Sequence, residues 1–370
     1  MKKSNKIILL VITITILSFG TYVMFFDIPL RTHIYRSFFK GNWNLCADGD
    51  TVYASGYCGI RKYLITPDGN KLLCENESFL QNRIVGHGLD VHNNYIYLAC
   101  RSYLPGPDKN DKAPYEGELI VLNKSNLNII SQFFLPSKMN DAVCCDSTLL
   151  LSGINRFYIF NISNPKYPLL TYEFVSDTYK EFQGSTIWKA NGRRYAAFTL
   201  FTQGIEIWDI TNTSKPEFIK NIFLPDACNG NKYLQSLDIV EDYPFLYATI
   251  APMPNQYFKE YDKRGVLQID ISNIDSIKYK TYYIPQKDFW KPMSGDAHPK
   301  NIAIYNGNIY LSAATSGSAV FRISHNNTLD YKGIMQISSP NEIYPICISD
   351  NGYIVSGDWI NNKIYSKRIK

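Results

Sequence analysis

Apolar and polar positions alternate with a period of two in short runs along most of the chain, and Asn, Asp, Gly, Ser and Pro separate the runs. That period places alternate side chains on opposite faces of a strand. One phrase recurs: an apolar strand, a polar turn and a second apolar strand. It reads "LCADGDTVYASG" from Leu45, "LDVHNNYIYLAC" from Leu89, "VCCDSTLLLSG" from Val143 and "IWKANGRRYAAFTL" from Ile187. It returns as "LDIVEDYPFLYATI" from Leu237, "IAIYNGNIYLSAA" from Ile302 and "ICISDNGYIVSGD" from Ile346. Successive starts are 44, 54, 44, 50, 65 and 44 residues apart, so the unit is 44 residues with insertions.

Each unit continues into a third strand, often opened by Gly, as in "GELIVLN" from Gly117, "GIEIWDIT" from Gly204 and "GVLQIDIS" from Gly265. In the first six units a polar turn then leads to a fourth strand. Four strands in ~40–50 residues is the unit of a β-propeller. The pattern therefore predicts an all-β fold over residues 31–370, a seven-bladed β-propeller of four-stranded antiparallel blades. Asn161, Asp209 and Asp270 fall near the end of third strands, where a short polar side chain bonds the backbone of the following turn. The seventh unit shows three strands, and an unpaired edge is a liability. Residues 32–41, "THIYRSFFKG", have strand character and are expected to supply the outer strand of blade 7 and close the ring.

The N-terminus has a different character. Lys2, Lys3 and Lys6 precede an uncharged stretch, residues 7–26, whose twenty residues at helical rise span a ~30 Å hydrocarbon core. Residues 1–30 are thus expected to form a transmembrane helix, with the lysines cytoplasmic and the propeller in the periplasm or at the cell surface. A cleaved signal peptide ending near Ser18 and Gly20 is the alternative, but the apolar run continues past that point to Phe26. The net charge of +5 on 370 residues forms no basic stripe, so no nucleic-acid partner is expected. Eight cysteines show no C-x-x-C or Cys/His spacing and read as small buried hydrophobes, with one or two disulfides as the alternative in an oxidising compartment. Cys46 and Cys347 share a repeat position, and they become neighbours in space when blades 1 and 7 meet.

The phrases "GIEIWDITNTSKPEFI", "FYIFNISNPKYPLL" and "GVLQIDISNIDSI" resemble the LVIVD-repeat family of bacterial and archaeal exported or surface proteins. The resemblance implies a β-propeller. The family's motif residues are structural, and it implies no common activity.

The long insertions, within residues 101–117 and 251–265, join strands two and three, whereas "PDACNGNKYLQS" and "PQKDFWKPMSGDAHPKN" join one blade to the next. In an antiparallel meander these connections share one face, and loops carry function because a rigid scaffold fixes their ends. Polar residues ahead of the first strands gather at the same face: Asn42, His87, Asp141, Gln183, Gln235, Asp296, His298 and Glu342. They are candidates to ring the mouth of the central channel, where side chains converge on a ligand. Tyr103, Tyr115, Tyr257, Tyr261 and Trp290 on the inserted loops are candidate stacking surfaces. His87, Asp296, His298 and Asp141 could in principle hold a divalent ion, but none shows local ligand spacing, so no cofactor is predicted.

No nucleophile elbow or P-loop is present. The sequence therefore points to a membrane-anchored, non-catalytic module that binds a protein, peptide or glycan. A metal-dependent hydrolase or lactonase-like enzyme with its site at the channel mouth is the alternative. N-terminal sequencing of membrane-extracted protein should start at or near Met1; a start at Thr21 would show cleavage and overturn the anchor.

Overall fold

The computed structural model describes residues 41–369 except 57–58, 78–83, 103–115, 229–233, 253–262, 286–287, 289–300, 313–316, 338–342 and 359–362. Within these residues the chain forms seven antiparallel sheets, each a meander in which consecutive strands pair. Blade 1, for example, runs Asn42–Asp48, Thr51–Gly56, Gly59–Thr66 and Gly69–Asn76. In blade 5 the innermost position is shared by two short strands, Leu234–Gln235 and Ile239–Asp242, which both pair with Phe245–Pro252. Blade 7 shows three strands among the described residues: Ile343–Ile348, Tyr353–Asp358 and Ile364–Arg368. The segment expected to complete it, residues 32–41, lies outside the described residues except for Gly41, and so does the apolar run 7–26. Among the described residues no helix is long and apolar enough to cross a membrane.

The alternation does not separate a wet face from a dry one. Both faces of a blade are apolar, and each feeds a different core. In blade 2, Ile96, Leu98, Ile120 and Leu122 pack with Tyr53 and Ile60 of blade 1. Tyr97, Ala99, Leu119 and Val121, one residue out of step, pack with Leu149, Leu151 and Tyr158 of blade 3. Seven such clusters fill the seven blade interfaces. One of them closes the ring, with Leu45, Val52, Ala54, Tyr63 and Ile65 of blade 1 against Cys347, Val355 and Ile364 of blade 7.

Polar ties reinforce that seam. The Asn42 carboxamide donates to the Lys363 carbonyl at 3.0 Å, and Asn70 Nδ2 to the Ile364 carbonyl at 3.1 Å. Asn351 Nδ2 donates to the Ile65 carbonyl at 3.1 Å. Cys46 and Cys347 sit close enough for a Cys347 thiolate to raise the Cys46 thiol further, although burial is the larger cause. Both are free thiols, as are the other described cysteines.

The local signals behave as their chemistry requires. Asn161 Oδ1 accepts from Ser163 N at 2.8 Å, Asp209 Oδ1 from Thr211 N at 2.8 Å and Asp270 Oδ1 from Ser272 N at 3.0 Å. Each carbonyl-type oxygen caps the turn two residues on. Between first and second strands, Asn191-Gly192 (φ 52° and 75°) and Asn306-Gly307 (φ 48° and 68°) turn with both residues left-handed. Asn and Gly tolerate that conformation, and it matches the twist of a two-residue hairpin. A register shift recurs between third and fourth strands in blades 1, 2, 3, 4 and 6, bending the outer strand.

If blade-to-blade packing holds the ring, truncating a ring at an interface should be costly. Phe157 is fully buried and meets Phe174, Phe182, Phe198 and Trp208 at centroid distances of 4.6–5.6 Å. Phe157→Ala should cost about 3–5 kcal/mol, whereas Phe218→Ala, at a half-exposed outer position, should cost far less. Urea midpoints would check this, and equal losses would refute it.

Candidate functional site

The first strands converge at the centre of the ring. At the end where they begin, they and the ends of neighbouring strands enclose a cavity of about 190 Å³. Its wall comprises Trp43 and Asn44 of blade 1, His87 and Arg101 of blade 2, and Asn140 and Asp141 of blade 3. Gln183 and Gly184 lead into blade 4, Leu237 and Asp238 belong to blade 5, and Asn301 leads into blade 6. Arg101 sits near the end of its strand, Tyr95–Ser102, where the insertion of blade 2 departs. Asn301 ends the long link into blade 6. The cavity therefore opens on the face that carries the insertions.

Irregularities in the first strands aim several of these side chains. The register shifts between Asn42 and Asn44, leaving Trp43 as the extra residue, and between Gly86 and Gly88, leaving His87. In blade 3 it shifts where Asn140 stands, between the pairs Asp141–Ser152 and Met139–Gly153. A bulge turns its extra residue out of the alternation. Trp43 and His87 use this freedom to stack on each other, with centroids 4.9 Å apart and planes at 28°. His87 Nδ1 lies 3.0 Å from the Asn140 carbonyl.

A polar network stiffens one side. Arg101 donates through Nε to Asn140 Oδ1 at 2.7 Å, and its Nη2 lies 3.4 Å from Glu181 Oε1. Asn140 Nδ2 donates to the Phe182 carbonyl at 2.7 Å. Glu181 also accepts from Gln183 Nε2 at 2.6 Å and from the Tyr179 hydroxyl at 3.0 Å. The guanidinium charge is thus met by a carboxylate.

Three aspartates stitch successive inner strands together. Asp90 Oδ2 accepts from Cys144 N at 2.7 Å, joining blades 2 and 3. Asp141 Oδ2 accepts from the Ser185 amide and hydroxyl, both at 2.8 Å, joining blades 3 and 4. Asp238 Oδ2 accepts from Ile302 N at 3.0 Å and Asn301 Nδ2 at 3.1 Å, joining blades 5 and 6. Each carboxylate satisfies an amide that the innermost strand has no further strand to pair with. Close approach makes the contact. A Cβ on Gly88 would stand 2.4 Å from Asp141 Cα, and one on Gly184 would stand 2.7 Å from Asp238 Cα.

Burial raises all three carboxyls. It pushes Asp141 up to about 7, the charge of Asp238 adds to the rise, and the bonds from Ser185 and Ala142 oppose it. Asp238 rises to about 6 for the same first reason, against the bonds from Ile302, Asn301 and Ile239. Asp90 is raised by burial as well. Its negative charge in turn adds to the burial that lifts the neighbouring Cys46 and Cys144 thiols, so both stay protonated and unreactive.

Of the candidates named from the sequence, His87, Asp141 and Gln183 stand on the cavity wall. Asn42 is buried at the seam with blade 7, and Gln235 is buried with Nε2 on the Pro252 carbonyl at 3.1 Å. Neither is among the lining residues. Asp296, His298, Glu342, Tyr103, Tyr115, Tyr257, Tyr261 and Trp290 lie outside the described residues. Among the described residues no three His, Cys, Asp or Glu side chains come together to hold a metal ion. Sequence reasoning missed Trp43, Asn44, Arg101, Asn140, Asp238 and Asn301. Asp238 was visible in "LDIVED", where it repeats the position of Asp90 in "LDVHNN".

No family model matches the chain, and no curated protein matches it in sequence. Solved structures do match it in fold. The WD40 β-propeller domain of Doa1 is 9% identical over 89% of this chain and 93% of that one, with a TM-score of 0.55. A chain of the Mitotic Checkpoint Complex is 7% identical over 88% and 89%, with a TM-score of 0.60. The computationally designed Ika8 protein is 10% identical over 89% and 83%, with a TM-score of 0.52. The chain has the β-propeller fold. At these identities the likeness extends to fold alone.

The titrations carry a sign. Asp141 and Asp238 keep their protons when folded at pH values where the unfolded chain has lost them. Raising the pH from about 4 towards 7 therefore removes stability. Asp141→Asn cannot ionise, so its melting midpoint should gain on the wild type across that interval. A gap that stays constant from pH 4 to 8 would refute the raised carboxyl.

Proposed function

We propose that this chain is a non-catalytic binding module, anchored outside the cytoplasmic membrane by residues 7–26, that engages a protein, peptide or glycan through its insertion-bearing face. The observation that carries the reading is the cavity at the ring centre. Seven short segments from six blades, 1 to 6, build it, and it opens where the long loops depart. Convergent polar groups beside an aromatic pair, on a rigid frame, are what a recognition site requires. The groups with acid–base chemistry there have structural partners. Asp141 and Asp238 hold neighbouring strands, and Arg101 is engaged by Asn140 and Glu181. The resemblance to LVIVD-repeat proteins, and the lysines ahead of the apolar run, support the extracytoplasmic placement.

The test uses full-length protein in a detergent without a sugar headgroup, applied to a displayed peptide library and a printed glycan array. Binding should fall at least tenfold, about 1.4 kcal/mol, in Asn44→Ala and Gln183→Ala. It should change less than twofold in Asn94→Ala and Arg193→Ala, on the tight-turn face. Ligands that ignore the first pair and are lost with the second would overturn the reading.

A further inference from the structure

Resting on that reading, we infer that the central cavity receives one neutral sugar ring of a glycan, seated beside Trp43 and held by the carboxamides around it. Size sets the first limit. About 190 Å³ lies below the ~300–1,000 Å³ of pockets for drug-sized ligands. One small ring fits, and a drug-sized ligand does not.

The wall chemistry sets the second limit. Hydroxyl groups donate and accept at once, and a carboxamide offers an acceptor and donors in one plane. Asn44 uses no described protein partner for its carboxamide. Gln183 lines the wall and commits its side-chain amide nitrogen to Glu181, and its Oε1 takes no bond from a described residue. The Asp141 carboxyl is already spent on Ser185 and the Ala142 amide, so the carboxamides carry the polar recognition. Trp43, half-buried on the wall and braced by His87, supplies a flat apolar surface of the kind that packs on the C–H face of a sugar ring.

Charge sets the third limit. Among the described lining residues the one guanidinium, Arg101, is matched by Glu181, so a phosphate or carboxylate ligand meets no unmatched arginine there. A cationic ligand is poorly served too, since the carboxylates already accept bonds from Ser185, Asn301 and Ile302. Neutral and polyhydroxylated is the class that matches.

The experiment titrates full-length protein, in a detergent without a sugar headgroup, with methyl glycosides of glucose, galactose, mannose, N-acetylglucosamine and N-acetylgalactosamine. Methyl glucuronide and glucosamine serve as charged controls. Saturation-transfer NMR and tryptophan fluorescence report binding. At least one neutral glycoside should bind with a millimolar or tighter constant, more tightly than either charged control. Trp43→Ala should weaken it at least tenfold, Trp43→Phe less than threefold, and Gln183→Ala severalfold, with melting midpoints confirming that each variant folds. No binding by any neutral glycoside, or binding indifferent to both Trp43→Phe and Gln183→Ala as well as Trp43→Ala, overturns the inference. A peptide that binds and depends on Asn44 and Gln183, with no glycoside doing so, overturns this inference and leaves the binding module standing. Loss of every mouth-dependent ligand overturns both.

Discussion

Each blade of this protein is apolar on both faces, so no blade can be stable without a neighbour on either side. A lone four-stranded sheet with Ile96 and Leu98 on one face and Tyr97 and Ala99 on the other would expose one set to water whichever way it packed. Closing the sheets into a ring removes that conflict. Every interface then becomes a core, including the seam where Leu45, Val52 and Ile65 meet Val355 and Ile364. At ~25 cal/mol per Å² of apolar area, burying these side chains at the seam stabilises the closed ring. The seam joins residues some 300 positions apart in sequence. Its polar ties, Asn42 to Lys363, Asn70 to Ile364 and Asn351 to Ile65, fix the register of that last contact.

Ring closure creates a second constraint at the centre. The innermost strand of each blade has one edge without a strand beside it, and its amides need acceptors. Asp90, Asp141 and Asp238 meet that need across blade boundaries. The same act buries their carboxyls and lifts Asp141 to about 7 and Asp238 to about 6. Perturbed carboxyls in a cleft often mark catalysis. Here a structural cause accounts for them: desolvation opposes the charged form, while the bonds from neighbouring blades keep the side chains in place. Site and scaffold therefore share atoms, and the cavity owes its shape to the groups that hold the ring.

The repeat was legible because a strand's period of two survives divergence in residue identity. The turn chemistry of Asn161, Asp209 and Asp270 was legible because it is local, each oxygen reaching an amide two residues ahead. The cavity was harder to read. Placing polar residues ahead of each first strand located His87, Asp141 and Gln183, but it assumed a uniform register. Bulges at Trp43, His87 and Asn140 break that uniformity. Asn42, one residue before such a bulge, turns instead to the seam with blade 7. Arg101 belongs to a second strand, and no argument from first strands could reach it. Partners across blades, such as Asp141 with Ser185 44 positions later, become visible only when two repeats lie side by side.

A propeller whose units were identical would present the same group seven times at its centre. This one has diverged where the strands converge. At the repeat position of Trp43 stand His87, Asp141, Ser185 and Gln235 in the next four units, and each does something different. Trp43 and His87 stack, Asp141 bonds Ser185, and Gln235 turns inward to Pro252. Symmetric packing at the interfaces fixes the backbone, which frees the inner positions to vary without loss of fold. The outcome is a cavity with an aromatic wall on one side, a braced guanidinium–amide network on another and carboxylates between. The chemistry of such a surface is therefore carried by individual residues and not by the repeat.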